Sequence, residues 1–418
     1  MSFSKEEYEL CLQGLESDDC DLRRESAEDL GYSGVDEAAL ELVKHLADQD
    51  KGVRDAVANS LKKLNYTPSS FPLTEYLRNQ EIDIRNYASD ILINMQAKAL
   101  PALLEKLNDA DHDVRKFSAD ILGLIKSTDS IPELTRHLDD FDPNVQVSAI
   151  EALGNLGYPE VSEALINKAK RDPEHMAMVL DALGKIGSDQ VTGFIEEAIT
   201  DEDSIIAFSA IETIGQIGKV TYLSLLFAQL NQREDFFSAP ILLAILKITN
   251  REKITVTGLN EILSLSDGIL ETAFSENEVL EQLYLNLKSI ETTEINLDFY
   301  KKFLRFLNKE SKLILIGRIS SNYNCKYDLL IRMLLKDIDS WIAFKACEIV
   351  AKFKIVSLSD VLLELADGED AMLIIGTAQA FGELKLTAAR PLLEKLRISS
   401  ADKDIRNEIS KALDKIMS

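Results

Sequence analysis

A short motif returns along this chain every 30 to 32 residues, and a period of that length confines the fold to a stack of like units. Asp19-Cys20-Asp21-Leu22-Arg23, Asp50-Lys51-Gly52-Val53-Arg54, Glu81-Ile82-Asp83-Ile84-Arg85 and Asp111-His112-Asp113-Val114-Arg115 superimpose without gaps. Weaker copies sit at Asp142-Pro143-Asn144-Val145-Gln146, around Pro173 to Met176, and at Asp203-Ser204-Ile205-Ile206-Ala207. With the arginine position as anchor, the copies fall at residues 23, 54, 85, 115, 146, 176 and 207, then again at 343, 374 and 406.

Each copy reads as a helix. The acidic residue four before the anchor suits an N-cap, and Pro143 suits a first helical position. Seven and eight residues after the anchor come pairs such as Leu30-Gly31, Leu122-Gly123, Leu153-Gly154, Leu183-Gly184, Ile214-Gly215 and Phe381-Gly382. Glycine there is expected to cap the helix C-terminus, for a helix of about 10 to 12 residues. A second amphipathic helix precedes it, as in Pro101 to Leu107 and Pro132 to Leu138, with leucines spaced on one face.

Two short helices cannot bury their apolar faces alone, but stacked copies can. The pattern D-x-x-V-R-x-x-A-x-x-x-L-G, clear from Asp111 to Gly123, resembles HEAT-like repeats of the phycobilisome lyase type over roughly residues 5–218 and 337–417. The expected fold is all-α, an α-solenoid of about 12–13 helical hairpins in a right-handed superhelix. Expected divisions are 1–218 with regular acidic repeats, 219–336 with degenerate repeats, and 337–418 with regular repeats again. Within 231–336 no clean anchor shows, Phe236 to Pro240 is expected to interrupt a helix pair, and Ile254 to Gly258 reads as extended or looped. This segment is either drifted repeat or an inserted docking element or hinge.

The resemblance implies that the second helix of each pair lines the concave surface. Five residues after the anchors stand Glu28, Asn59, Asp90, Asp120, Glu151, Asp181 and Glu212, a column on the exposed side of the helix. Either these carboxylates only solvate the helices, or they form a ladder that attracts a basic segment. One residue after the anchors the column runs Arg24, Asp55, Asn86, Lys116, then Val147, Ala177 and Phe208, and later Phe344 and Ile375. Carboxylates beside apolar side chains suit a basic amphipathic helix, although burial against the degenerate middle is the alternative.

Formal net charge is −25, with 26 basic and 55 acidic groups in residues 1–300 against 20 and 16 in 301–418. The acidic majority disfavours nucleic acid as the main partner, since phosphate binding needs clustered cations. The densest basic stretch is Lys301, Lys302, Arg305, Lys309, Lys312, Arg318, Lys326, Arg332 and Lys336, interleaved with Phe303, Phe306, Tyr323 and Tyr327. It is either an ordinary set of solvated helix faces or a second surface for nucleic acid or an acidic protein.

Catalytic, cofactor and metal constellations are not expected. Asp109 to Asp120 imitates a calcium loop, but Val114 stands where that loop requires glycine. None of His45, His112, His137 and His175 is followed by Glu, as HEAT-like iron hydroxylases would require. HEAT-like DNA glycosylases use a cationic concave face, unlike the acidic column. The repeated arginine with an acid four residues earlier reads as a structural ladder of caps and ion pairs between neighbouring repeats. Cys11, Cys20, Cys325 and Cys347 are too sparse for a disulfide framework, and Met1 to Glu7 lacks a signal-peptide core, so a cytoplasmic setting is expected.

The expected function is a non-enzymatic scaffold or adaptor with no cofactor. Its acidic concave face, through Glu28, Asp90, Asp120, Glu151, Asp181 and Glu212 with Val147 and Phe208, would hold a basic or amphipathic segment of another protein. The alternatives are a bilin-lyase-like enzyme handling a chromophore, and a nucleic-acid binder acting through residues 301–345.

Overall fold

The computed structural model describes residues 3–188, 191–232, 235–289 and 295–418. The chain divides into two compact units, Met1–Ile217 and Gly218–Ser418. In the first, the described residues form seven hairpins. They pair Lys5–Leu15 with Cys20–Tyr32, Ala38–Lys44 with Lys51–Leu64, and Ser70–Glu75 with Ile82–Met95. Leu100–Lys106 pairs with His112–Ile125, Ile131–Arg136 with Pro143–Leu156, Ser162–Arg171 with Met176–Ile186, and Thr192–Ala198 with Ser204–Ile217. These are repeats one to seven, and their second helices pack in series.

The second unit continues the pattern as repeats eight to thirteen. Leu223–Gln232 pairs with Ser238–Arg251; Asn260–Ser264 and Asp267–Ala273 together precede Asn277–Ser289; Leu297–Phe303 pairs with Lys309–Ser321. Asp328–Leu335 then pairs with Ser340–Phe353, Ser359–Ala366 with Ala371–Leu384, and Arg390–Ser399 with Lys403–Met417. Thirteen hairpins among the described residues agree with the expected fold.

The caps lie where the motif puts them. Asp19, Asp50, Asp111, Asp142, Asp339, Asp370 and Asp402 each accept a backbone N–H of the first turn through their carboxylates. Such caps are worth about 1 kcal/mol each and fix where every second helix starts. Starting points spaced by the repeat then place equivalent positions side by side on successive helices.

The glycine after the anchor does something other than capping. His112–Ile125 runs 14 residues, beyond the expected 10 to 12, and Gly123 is buried inside it. A Cβ on Gly123 would stand 2.7 Å from the Ala152 Cα, and one on Gly154 would stand 2.8 Å from the Ala182 Cα. These glycines let neighbouring second helices touch backbone to backbone. The left-handed cap falls three residues later, at Asn65, Lys126, Gly157 and Gly187, with φ of 47°, 59°, 75° and 69°. Gly157 takes that conformation without a Cβ penalty, whereas Lys126 bears one.

Two of the anchor arginines, Arg23 and Arg115, make the ion pairs expected between neighbouring repeats, while Arg54 and Arg85 donate to backbone carbonyls. Arg115 donates Nη1 to the carbonyls of Asp109 and Ala110, and Nε and Nη2 to both carboxylate oxygens of Asp140 in the next repeat, at 2.9 and 2.8 Å. Arg23 binds Asp48 in the same forked way, at 2.8 and 3.0 Å. The acid four residues earlier is occupied as the N-cap and has no oxygen aimed at the guanidinium. Each such pair therefore ties one inter-helix turn to the next, and a fork to a carboxylate holds geometry as well as charge.

The described residues within 231–336 keep the hairpin plan. Pro240 does not interrupt Ser238–Arg251, because it sits in the first turn, where a missing N–H removes no helical bond. Ile254 to Gly258 is a loop closed by a 3₁₀ turn, as expected. Buried Asn286 holds it, accepting from the Val256 N–H at 3.0 Å and donating to the Ile254 carbonyl at 2.9 Å. Lys312 fills the anchor position that sequence patterning missed. Asn308 caps four residues before it, and its ammonium meets Asp337 at 2.7 Å with both side chains mostly buried.

Candidate partner-binding face

The second helices carry the acidic column, and the glycine contacts set its spacing. Repeats four to seven pack closely through Gly123 on Ala152, Gly154 on Ala182, and Gly184 against Thr213 and Gln216. Repeat two has Lys62 and repeat three Ile93 at the glycine position, and Ile82–Met95 touches both its neighbours over a shorter length. A Cβ and longer side chain there hold the helices apart. Asp120, Glu151, Asp181 and Glu212 are thus borne by four closely packed helices, Glu28 by a helix that packs closely on repeat two through Gly31 against Ser60, and Asp90 lies on the more open part.

Exposure agrees with the expected face. Glu28, Asp90, Glu151, Asp181 and Glu212 are exposed and Asp120 is half-buried. Their electrostatic state differs from residue to residue. Asp90 is paired with Lys62 of the preceding repeat, Asp120 with Lys116 at 2.8 Å, and Asp181 with Lys185 at 2.8 Å. Glu28 and Glu151 have no ion pair among the described residues. A lysine four residues away weakens the outward field of its acid, so the column is uneven in strength.

Val147 is half-buried and Phe208 is 40% exposed. Sequence patterning missed two neighbours. Ile205, 67% exposed, precedes Phe208 by one turn on the same helix, and Met178, 41% exposed, precedes Asp181 by one turn. The signal was present as i, i+3 spacing from residues already singled out. Repeats six and seven together therefore present Met178, Ile205 and Phe208 beside Asp181 and Glu212.

Most of the basic stretch of the second unit is spent internally, with Lys326 left exposed. Lys302 donates to the Leu263 and Leu265 carbonyls, and Arg318 to the Leu287 carbonyl. Arg305 meets Asp267 and Glu271, Lys309 meets Asp339, Arg332 meets Asp360 and Lys336 meets Glu364. Phe303 is buried, and Phe306 stacks on Phe274 at 5.5 Å. Base-stacking surfaces need exposed rings beside free cations, and this arrangement supplies neither at those positions.

Asp111, His112 and Asp113 have ligand atoms within 4.8 Å of one another. Asp111 is the helix cap that accepts the Asp113 N–H, so the cluster follows from the repeat motif. Open grooves on the helix faces include one at Leu10, Gly14 and Leu22, one at Lys51, Tyr87 and Asp90, and one at Glu348, Gln379 and Lys415. Among the described residues no helix is long and apolar enough to cross a membrane.

Comparison with known proteins matches HEAT repeats at residues 8–91, 100–177 and 162–239. The chain is 23% identical over 147 residues to an uncharacterized phycocyanin operon protein Y of Pseudanabaena tenuis, a match spanning 33% of this chain and 35% of that protein. Among solved structures, importin beta crystallised in ammonium sulfate overlays with a TM-score of 0.47 at 11% identity, covering 98% of this chain and 74% of that one. Kap121p bound to RanGTP overlays with a TM-score of 0.46 at 13% identity, covering 98% of this chain and 49% of that one. With family repeats matched across more than half its length and helical hairpins stacked in both units, the chain belongs to the HEAT-repeat family and is an α-solenoid.

Proposed function

We propose that this protein is a non-enzymatic scaffold or adaptor that holds a basic, amphipathic segment of another protein against repeats four to seven. The carrying observation is the adjacency of exposed carboxylates and exposed apolar side chains on closely packed second helices: Glu151, Asp181 and Glu212 with Met178, Ile205 and Phe208, and with half-buried Val147 alongside. Exposed large apolar groups in a row are unfavourable in water unless a partner covers them, and neighbouring acids select a partner bearing lysine or arginine. We place it in the cytoplasm, as an all-helical chain with free cysteines and an acidic surface would suit.

The test uses a fluorescent amphipathic peptide of leucine and lysine and the triple variant Glu151→Lys, Asp181→Lys, Glu212→Lys. Removing and reversing three exposed charges is expected to weaken binding about tenfold or more at low salt, with helical content and melting unchanged. Equal affinity for variant and parent would refute the reading. The relative named for the phycocyanin operon motivates one alternative, a chromophore-handling enzyme, which a new visible absorption band after mixing with free bilin would support.

A further inference from the structure

We infer a second docking surface, in the second unit, formed by Trp341, Phe344, Met372 and Ile375, for a short helical segment whose apolar centre is flanked by basic residues. It is independent of the acidic column in repeats four to seven. Ser340–Phe353 and Ala371–Leu384 are packed second helices of repeats eleven and twelve. On each, residues two before and one after the anchor are apolar: Trp341 and Phe344 on the first, Met372 and Ile375 on the second. These positions are three apart, one helical turn, and so share a face.

The four side chains form a two-by-two patch rather than a buried core. Trp341 and Met372 are each 38% exposed, and Phe344 and Ile375 are half-buried. The rings of Trp341 and Phe344 stack with centroids 5.7 Å apart and planes 17° from parallel. Gly376 supports this arrangement, because a Cβ there would lie 2.8 Å from the Phe344 ring. Phe344 therefore rests against Gly376 of the neighbouring helix, and Trp341 stacks on Phe344, before any partner arrives. Pre-ordered aromatic anchors of this kind carry a large share of binding energy at protein interfaces.

Size and charge select the occupant. Four partly exposed side chains on two helices about 8–10 Å apart cover far less than the roughly 800 Å² per partner of a stable dimer. A single segment fits, and a second copy of the chain would leave most of its contact unmade. At the position equivalent to Trp341 and Met372, the preceding repeat has Glu310 and the following repeat has Asp404. Both are exposed, and neither has an ion pair among the described residues. Lys345, the cation nearest the rings, lies 4.7 Å from the Trp341 ring centroid and has its charge offset by Glu348 at 2.9 Å. Acids thus bracket the apolar patch at both ends of the column, which complements a segment with lysine or arginine on either side of its apolar residues.

Trp341 is the chain's single tryptophan, so the site carries its own reporter. The experiment titrates the full chain with a 14-residue peptide having leucines at i, i+3 and i+4 in its centre and lysines at both ends, and with a scrambled peptide of the same composition. A saturable blue shift of tryptophan emission with the patterned peptide is expected. Met372→Glu should weaken it about tenfold or more, and Glu310→Lys with Asp404→Lys should weaken it severalfold, with circular dichroism unchanged. Charge reversal at Glu151, Asp181 and Glu212 should leave this signal intact, which separates the two surfaces. Equal shifts with the scrambled peptide, no shift at all, or a Met372→Glu variant that binds like the parent would overturn the inference. A parent that sediments as a dimer dispersed by Met372→Glu would overturn it too, by making a second copy the occupant.

Discussion

Replacing Arg115 with methionine tests how the repeats are tied together. The substitution keeps much of the apolar stem but removes four hydrogen bonds, two to backbone carbonyls and two to Asp140. The Asp140 side chain is only 7% exposed, so it is left as a largely buried charge with the Asp142 N–H as its remaining donor. Breaking one side of a buried pair destabilises by about 3–5 kcal/mol; the surviving donor and the edge position argue for the lower end, about 3 kcal/mol. Asp140→Asn keeps an acceptor for the Asp142 N–H and removes the charge, so it should lose only about 1–2 kcal/mol. The double variant should fall short of the sum by at least about 1 kcal/mol, because the partners touch.

The assay is amide hydrogen exchange, since stacked repeats open locally and a single melting curve averages them. Protection in His112–Ile125 and Pro143–Leu156 should drop roughly hundredfold, with repeats eleven to thirteen unchanged. Acidity supplies a control. Burial would raise the Asp140 carboxyl, but the Arg115 hydrogen bonds and the Asp142 N–H outweigh it and hold the group below its ordinary value. A carboxyl held low contributes stability that is complete above the unfolded-state value near 4 and fades as pH falls through the folded-state value. The parent should therefore lose stability in acid, and the gap between parent and Arg115→Met should narrow there, since a protonated Asp140 no longer needs the guanidinium. A change under about twofold at neutral pH, or protection lost evenly along the chain, would refute the reasoning.

Two glycine substitutions should move stability in opposite directions. Gly123→Ala drives a methyl into the Ala152 backbone and should destabilise by about 1–3 kcal/mol, whereas Gly317→Ala, in an open stretch of Lys309–Ser321, should stabilise by about 0.5–1 kcal/mol. Thermal melts of the two variants check this. Thiol labelling under native conditions should modify exposed Cys20 and Cys325 quickly and Cys347 only on unfolding, because burial pushes the Cys347 thiol up to about 12 and leaves almost no thiolate. Mass spectrometry of the labelled peptides decides it.

Much of the fold was legible because the repeat's signals are local. An acid four residues before the anchor caps its own helix, and apolar spacing of three and four marks the buried side wherever that helix docks. The same reasoning placed Glu28, Glu151, Asp181 and Glu212 on an exposed face and flagged Phe208 and Phe344 as apolar members of it. It failed at Lys312, where asparagine replaces the capping acid and lysine the arginine, so that the pattern changed while the geometry did not.

What needed tertiary structure was every contact made to the next repeat. From sequence, Gly123 serves equally well as a cap or as a packing surface, and only the approach of Ala152 decides between them. Arg115 has an acid four residues behind and another 25 ahead, and the choice follows from the turn that brings Asp140 alongside. Whether Asp90 faces water bare or beside Lys62, and whether Trp341 is core or surface, likewise depend on the distance between neighbouring helices. Period and capping obey rules confined to one helical turn, while that distance is set jointly by side chains some 30 residues apart.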